Sequence, residues 1–256
     1  MIDIAKQELH LWFADQADFP LPVLEKQCLG WLSDRELARY KRYRLEKSRH
    51  EFLLGQMLVR ATLTEYQPTP PGEWVFGVVA NGKPVLLQPP GKQPFYFNLT
   101  HSKGRVALAL GRHNLIGIDL ESLKARRRSR EIADRHFSPR EVEQLLVLDE
   151  AAQQARFYEL WTLKESYIKA TGEGLKIPLD SFGFDFSDEA VQFWLQSERQ
   201  MRAEDWRFWQ LDSGKDYRLA LACCPDRDST VSKIQSFRRT AIAEFQESDT
   251  KVTRSC

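Results

Sequence analysis

The order of apolar and polar positions along the chain predicts strands and helices in two similar series. In the first, QELHLWFAD alternates with period two near residues 7–14 and predicts a strand, and a helix follows around 21–31. SDRE at 33–36 is a capping box that opens a longer basic helical region, which ends at Pro68. Four strand-like segments complete the series, namely WVFGVV, VLL, PFYFNL and RVALALG.

The second series repeats this order of elements. LIGIDLE predicts a strand, residues 129–136 predict a helix, and SPRE at 138–141 opens another helix with a serine cap and a proline in the first turn. The segment FYELWTLKESYIKATGEGL predicts a helix that ends near Gly172. Further strands are predicted at about 182–186, 190–195, 206–211 and 217–223.

These series predict an α+β fold of two similar halves, residues 1–113 and 114–225, related by pseudo-twofold symmetry. No repeat is visible at the level of single residues, so the predicted duplication rests on the order of elements. Residues 226–256 are polar, and we expect a tail with one short helix around 236–246 and a mobile end.

Composition changes this picture little. Hydrophobic residues make up 42% and charged residues 29% of the 256-residue chain, which is typical of a soluble globular protein. No apolar run is long enough to cross a bilayer, and the N-terminus lacks the core of a signal peptide. The four cysteines form no C-x-x-C pair. We therefore expect a cytoplasmic protein with reduced thiols.

The net charge of +1 conceals two basic segments. One runs from Arg35 to Arg49, and the other, LKARRRSR, spans residues 123–130. Such segments are often solvated faces, but they also suit a phosphate-rich small molecule, an acidic protein surface or nucleic acid. No nucleic-acid-binding motif accompanies them, and neither a P-loop nor a dinucleotide fingerprint is present.

Paired carboxylates lie in the predicted strand LIGIDLE. Because side chains alternate, Asp119 and Glu121 project from one face, roughly 7 Å apart. A half-buried strand with a wet outer face would show the same alternation. The functional interpretation is a Mg²⁺ site, since Mg²⁺ binds one or two carboxylates together with substrate phosphates. Glu165, from the predicted helix, would complete this set of ligands.

Hydrogen-bond donors are dense in FNLTHSKGR, residues 97–105, between two predicted strands. Most such turns are polar connections, and a lone histidine is more often structural than catalytic. Beside a pair of metal carboxylates, however, Thr100 and His101 become candidates for binding phosphate.

Three motifs carry a resemblance to a known family. FNLTHS, GIDLE and WTLKESYIKATGEGL, in this order and spacing, closely resemble the signature of 4′-phosphopantetheinyl transferases. The likeness is to the larger, monomeric type that activates surfactin synthetase, and it covers most of residues 30–190. Family members transfer phosphopantetheine from coenzyme A to a serine of a carrier protein and release adenosine 3′,5′-bisphosphate. The resemblance implies that coenzyme A binds in the cleft between the two halves.

The resemblance also implies roles for the acidic residues. Asp119, Glu121 and Glu165 match the residues that hold Mg²⁺ against the pyrophosphate of coenzyme A. Glu165 is expected to be a metal ligand first, and a base for the carrier serine second, directly or through a metal-bound water. Lys169 matches the lysine that approaches the reacting phosphorus.

Further residues match positions that bind coenzyme A. The predicted set beyond Lys169 is Arg39 near the 3′-phosphate with Arg49 assisting, the phosphate contacts Lys83, Thr100 and His101, and Lys164 of the helix motif. The chain departs from the family in three places. Thr100 replaces a serine but keeps the hydroxyl, Glu36 stands where a surfactin-type relative has lysine, and Leu120 leaves metal positions to water.

Three classes of function follow. The first is a Mg²⁺-dependent, monomeric transferase that uses coenzyme A to modify an acyl, peptidyl or aryl carrier protein, with no nucleic-acid or membrane partner. Because such carriers are generally acidic, LKARRRSR is a candidate landing surface. The second is a non-catalytic module that binds coenzyme A or a nucleotide, which should have lost a metal carboxylate or motif lysine. The third, a nucleic-acid-binding protein, gives no reason for Asp119 and Glu121.

Overall fold

The computed structural model describes residues 1–79, 82–87, 94–124, 129–187, 190–196, 202–226 and 229–256. Its α-helices are α1 Leu21–Cys28, α2 Asp34–Arg42, α3 Glu46–Tyr66, α4 Ser129–His136, α5 Pro139–Leu146 and α6 Glu150–Thr171. Its strands are β1 Glu8–Asp15, β2 Phe76–Val78, β3 Pro84–Leu86, β4 Tyr96–Ser102, β5 Arg105–Gly111, β6 Leu115–Ser122, β7 Phe182–Phe186, β8 Val191–Leu195, β9 Arg207–Leu211, β10 Tyr217–Cys224, β11 Lys233–Ala241, β12 Glu244–Ser248 and β13 Val252–Ser255. This mixture confirms the predicted α+β class.

The chain divides into two compact units. The first comprises Met1–Val78, Pro84–Arg112 and Val231–Asp249, and the second comprises Val79–Lys83, His113–Thr230 and Thr250–Cys256. Among the described residues the main sheet of the first unit has five strands and that of the second has four. The predicted pseudo-twofold relation between the halves is therefore not confirmed.

The first unit is built on a sheet with the strand order β12-β11-β1-β5-β4. Strand β1 runs antiparallel to β5 and parallel to β11. Helix α3 packs against β1, β4 and β5 through its second half, where nearly every residue from Leu53 to Leu63 is buried. The predicted basic helical region is divided in two, since α2 ends at Arg42 and α3 begins at Glu46.

The C-terminal residues are strands, so the predicted helix around 236–246 is wrong. Strand β11 lies beside β1, where Phe237 is buried and stacks on Trp12 with ring centroids 4.6 Å apart. Arg239, on the same face, is also fully buried and donates to Glu65 at 2.9 Å. A buried arginine interrupts the apolar alternation that would have revealed the strand.

The second unit contains an antiparallel sheet with the order β13-β9-β10-β6, in which β6 is an edge strand. Helix α6 packs across β6 and β10 and buries Phe157, Tyr158 and Leu160 among other apolar residues. Strands β7 and β8 form a separate hairpin. Within the described part of the chain, no helix combines the length and apolarity needed to cross a membrane.

Candidate active site

Helix α6 lies directly on strand β6 because Gly117 carries no side chain. A Cβ atom at this position would stand 2.0 Å from the Ser166 carbonyl oxygen and 2.4 Å from the Ala170 nitrogen. Since alternate residues of a strand share a face, Asp119 and Glu121 project from the same face as Gly117, towards α6. The helix therefore covers both predicted metal carboxylates.

Both carboxylates are buried, so they do not lie on a wet face. Asp119 is 5% exposed and Glu121 is 8% exposed. The ammonium group of Lys169, on α6, donates to Oδ1 of Asp119 at 2.6 Å. The structure thus brings together Asp119, a predicted Mg²⁺ ligand, and Lys169, the lysine predicted to approach the reacting phosphorus. Arg218 lies directly opposite Glu121 on the neighbouring strand β10, which sequence patterns did not reveal.

The donor chemistry of this face suits a hard cation. Carboxylate oxygens are the protein ligands that Mg²⁺ prefers, and Asp119 already accepts a cationic partner, the ammonium group of Lys169. Glu165 is partly exposed on the helix that covers the two strand carboxylates. Within the described ranges, no three His, Cys, Asp or Glu side chains are arranged as a ready metal site. The ligand set Asp119, Glu121 and Glu165 stays a prediction.

Lys164 does not face the phosphate side of the helix, which corrects the sequence prediction. Its side chain is fully buried, and its ammonium group forms an ion pair with Glu141 at 2.8 Å. The same group donates to the carbonyl oxygens of Leu179 at 2.7 Å and Phe182 at 2.6 Å. Burial lowers the pKa of Lys164, and the Glu141 carboxylate acts in the opposite direction. With its three hydrogens used inside the protein, this ammonium group cannot also bind a phosphate.

Lys83 lies at the C-terminal end of α6. Its ammonium group donates to the carbonyl oxygens of Ala170 at 2.8 Å, Ile116 at 3.4 Å and Asn114 at 3.5 Å. A cation at this end of a helix is favourable because the helix carbonyls point towards it. Burial lowers the pKa of Lys83 to about 8. The residue thus joins the end of α6 to the start of β6, and its predicted phosphate contact stays a prediction.

Thr100 and His101, in the first unit, point to opposite faces of the edge strand β4. Thr100 is 4% exposed, whereas His101 is exposed. Only the imidazole is therefore presented openly to a ligand, and both phosphate contacts stay predictions.

Arg39 borders a cavity of about 560 Å³ in the first unit. Its guanidinium group lies 5.3 Å from the centre of the Phe52 ring and donates to the Tyr43 hydroxyl at 3.0 Å. The cavity combines a basic rim with aromatic walls, formed by Arg35, Arg39, Arg42, Trp31, Phe52, Trp74 and Phe76. Arg49 is partly buried and is not among the described residues that line it.

Contacts beside the cavity explain why the chain has Glu36 where a surfactin-type relative has lysine. This carboxylate completes the capping box of α2 with Ser33 and accepts from Arg60 at 2.7 Å. Arg60 is only 2% exposed, and its guanidinium group lies 4.6 Å from the centre of the Phe76 ring. The capping box was visible in the sequence, but Arg60 was missed. The sequence feature that could have identified Arg60 is its charge at the end of the mainly apolar run LLGQMLVR.

The basic segment LKARRRSR is only partly described, because residues 125–128 lie outside the described ranges. Its role as a landing surface for a carrier protein therefore stays a prediction.

Comparison with known proteins adds the family context. A family model described as the 4′-phosphopantetheinyl transferase superfamily matches residues 115–222, which include β6 and α6. The chain is 35% identical over 177 residues to the 4′-phosphopantetheinyl transferase HetI of Nostoc sp., covering 68% of this chain and 73% of the relative. It is 32% identical over 211 residues to a 4′-phosphopantetheinyl transferase of Bacillus subtilis, covering 82% and 90%. It is 36% identical over 166 residues to the 4′-phosphopantetheinyl transferase Sfp of Bacillus subtilis strain 168, covering 64% and 71%.

Proposed function

The chain belongs to the 4′-phosphopantetheinyl transferase superfamily, and on this premise we propose that it transfers the 4′-phosphopantetheine group of coenzyme A to a serine of an apo carrier protein. Adenosine 3′,5′-bisphosphate is the second product. The observation that carries the proposal is the buried carboxylate face of β6 beneath α6, where Lys169 and Asp119 are 2.6 Å apart. This face lies inside the region that the family model matches.

The proposed cofactor is Mg²⁺, held by Asp119, Glu121 and Glu165. When bound, it would neutralise charge on the pyrophosphate of coenzyme A and stabilise the departing bisphosphate. Buried carboxylates suit this role because their charge is costly to bury without a cationic partner.

In the proposed reaction, the serine oxygen forms a bond to the phosphorus that carries pantetheine. The bond from that phosphorus to the oxygen of the bisphosphate breaks, and the bisphosphate leaves as an anion. Lys169 would offset negative charge on the transferring group, since phosphoryl transfer depends mainly on positioning and charge neutralisation. Glu165 is the proposed acceptor of the serine proton, and its partial exposure leaves it open to the carrier.

The cavity of the first unit is the proposed site for the nucleotide end of coenzyme A. The phosphates of that end are anionic, and Arg35, Arg39 and Arg42 line the cavity together with Arg60, which is paired with Glu36. The adenine ring would lie against the aromatic side chains, because guanidinium groups and aromatic faces both stack on bases.

The test is incubation of the protein with coenzyme A, Mg²⁺ and a panel of apo acyl, peptidyl and aryl carrier proteins. Mass spectrometry of each carrier should show the gain of one phosphopantetheine arm on its serine. If coenzyme A binds but no carrier gains mass, the chain is a binding module and the proposed transfer is wrong.

A further inference from the structure

The charged pair Lys164 and Glu141 is enclosed in the second unit. Both side chains are 0% exposed, and their charged groups are 2.8 Å apart. As described above, the ammonium group also donates to the carbonyl oxygens of Leu179 and Phe182. Helix α6 is therefore tied at Lys164 both to α5, which carries Glu141, and to the chain that enters β7.

The Glu141 carboxylate also accepts several hydrogen bonds inside the protein. Its Oε2 atom accepts from the Ser138 backbone nitrogen at 3.0 Å and from the Ser138 hydroxyl at 2.8 Å. Its Oε1 atom accepts from the backbone nitrogen of Phe184 at 3.1 Å. Because Gly183 has no side chain, β7 can approach the carboxylate; a Cβ there would stand 2.8 Å from Oε1. One buried carboxylate thus connects the cap of α5, the middle of α6 and strand β7.

Stability alone does not account for this pair. Removing two charges from water costs about as much as their attraction returns, and apolar replacements of buried pairs are often neutral or stabilising. A buried pair does fix the geometry of the elements that carry it, because the ammonium group can contact all of its acceptors in only one arrangement.

This pair fixes the rotation of α6 about its own axis. Glu165 follows Lys164 and is rotated from it by roughly 100° about the helix axis. Lys169 lies five residues after Lys164, about 7.5 Å from it along the axis. The helix is held a second time where Ser166 and Ala170 meet Gly117 of β6. Contacts at two places around the axis leave the helix one orientation over the strand.

We propose that the Lys164–Glu141 ion pair is a positioning device, which fixes the rotation of α6 so that Glu165 and Lys169 face the carboxylates of β6. This inference rests on the proposed function, because it assigns a purpose to the orientation of that site. Lys164 acts through its neighbours and touches neither coenzyme A nor the carrier.

The test compares Lys164→Met with the double variant Lys164→Met/Glu141→Gln. The single variant leaves a buried carboxylate without its cation, so its melting temperature should fall. The double variant removes both charges and keeps one amide oxygen that can still accept from Ser138, so its melting temperature should rise above that of the single variant. Its kcat for transfer should nevertheless remain at least tenfold below wild type. Its dissociation constant for coenzyme A, measured by calorimetry, should stay within twofold. Lys215→Met, an exposed lysine of the same unit, is the matched control.

Each contrary result has a distinct meaning. If the double variant recovers both melting temperature and kcat, the pair serves stability only and the positioning role is wrong. A tenfold weaker affinity for coenzyme A in the folded double variant would show that Lys164 binds the phosphates. If the double variant does not fold, Glu141→Gln alone must show the same loss of kcat at unchanged affinity. An inactive wild-type protein would overturn the proposed function, and this inference with it.

Discussion

Glu165 and Lys164 are neighbours in the chain with opposite environments. Glu165 is partly exposed on α6, whereas Lys164 is fully enclosed. Helical periodicity separates the two directions, but it does not say which direction leads to a ligand. That depends on Glu141, which lies 23 residues earlier and meets Lys164 only in the folded protein. The sequence prediction for Lys164 was wrong because its partner Glu141 could not be identified from the helix alone, and the role of Glu165 stays a prediction.

Glu165→Gln should reduce kcat for phosphopantetheine transfer by about 10²-fold or more, because the amide neither binds Mg²⁺ well nor accepts the serine proton. The matched control is Glu150→Gln, an exposed glutamate in the first turn of the same helix. Transfer rates and Mg²⁺ titrations of both variants make the measurement. Near-normal turnover with unchanged Mg²⁺ dependence in Glu165→Gln would remove Glu165 from both roles.

His10 should make the free energy of unfolding depend on pH. It is fully buried with its Nδ1 atom 2.6 Å from the Tyr66 hydroxyl, and burial lowers its pKa from 6.5 to about 4. Glu8 and Asp3 oppose this shift and Lys233 adds to it. Below pH 6.5 His10 binds a proton in the unfolded chain, but in the folded chain it remains neutral until about pH 4. The free energy of unfolding therefore falls as the pH drops from 6.5 towards 4.

The expected loss from this residue is about 3 kcal/mol between about pH 7 and pH 4. Denaturant unfolding of His10→Gln should show a pH dependence flatter than wild type by that amount. His136→Gln, at an exposed histidine, is the matched control. Parallel curves for wild type and His10→Gln would contradict the assignment.

At the scale of elements, local signals in the sequence were reliable. The capping boxes read at Ser33 and Ser138 are both present, and each begins a helix. Strand β6 and helix α6 lie where alternation and periodicity placed them. The C-terminal strand β11 was missed because the buried Arg239 reads as a surface residue until its partner Glu65 is known. Pairings of this kind join distant parts of the chain, and no local pattern reports them.

Gly117→Ala should separate α6 from β6. The added methyl group meets backbone atoms of α6, which cannot rotate away as a side chain would. We expect a loss of about 3 kcal/mol or more in the free energy of unfolding, together with at least a tenfold loss of transfer activity. Gly30→Ala, where nothing lies within 4 Å of the new Cβ, is the control for stability. Wild-type stability in Gly117→Ala would contradict the close packing of the two elements.

At the scale of the whole molecule, recognition of a carrier protein depends on the charge of the protein surface. The candidate surface is the basic segment LKARRRSR, which we expect to bind an acidic carrier protein. Charge reversal at Arg126, Arg127 and Arg128 should raise the KM for the carrier and leave the KM for coenzyme A unchanged. Steady-state kinetics with each substrate varied in turn make the measurement, and equal effects on both constants would rule out a landing surface.

The motifs FNLTHS, GIDLE and WTLKESYIKATGEGL indicated the family, and the family relationship supports a transferase. Which carrier the chain modifies is a property of surfaces that match a partner, and a single sequence holds no record of that partner's shape. The role of the buried pair Lys164 and Glu141 likewise became visible only with the packing of α5, α6 and β7 in view.

The proposed transfer of phosphopantetheine is tested most directly by following both products of one reaction. The protein is mixed with coenzyme A, Mg²⁺ and an apo carrier, and phosphopantetheine on the carrier is compared with adenosine 3′,5′-bisphosphate in solution. We expect equal amounts of the two products with Mg²⁺ present and neither product when a chelator removes the Mg²⁺. Bisphosphate without modified carrier, or modified carrier in the presence of chelator at the wild-type rate, would contradict the proposed transfer.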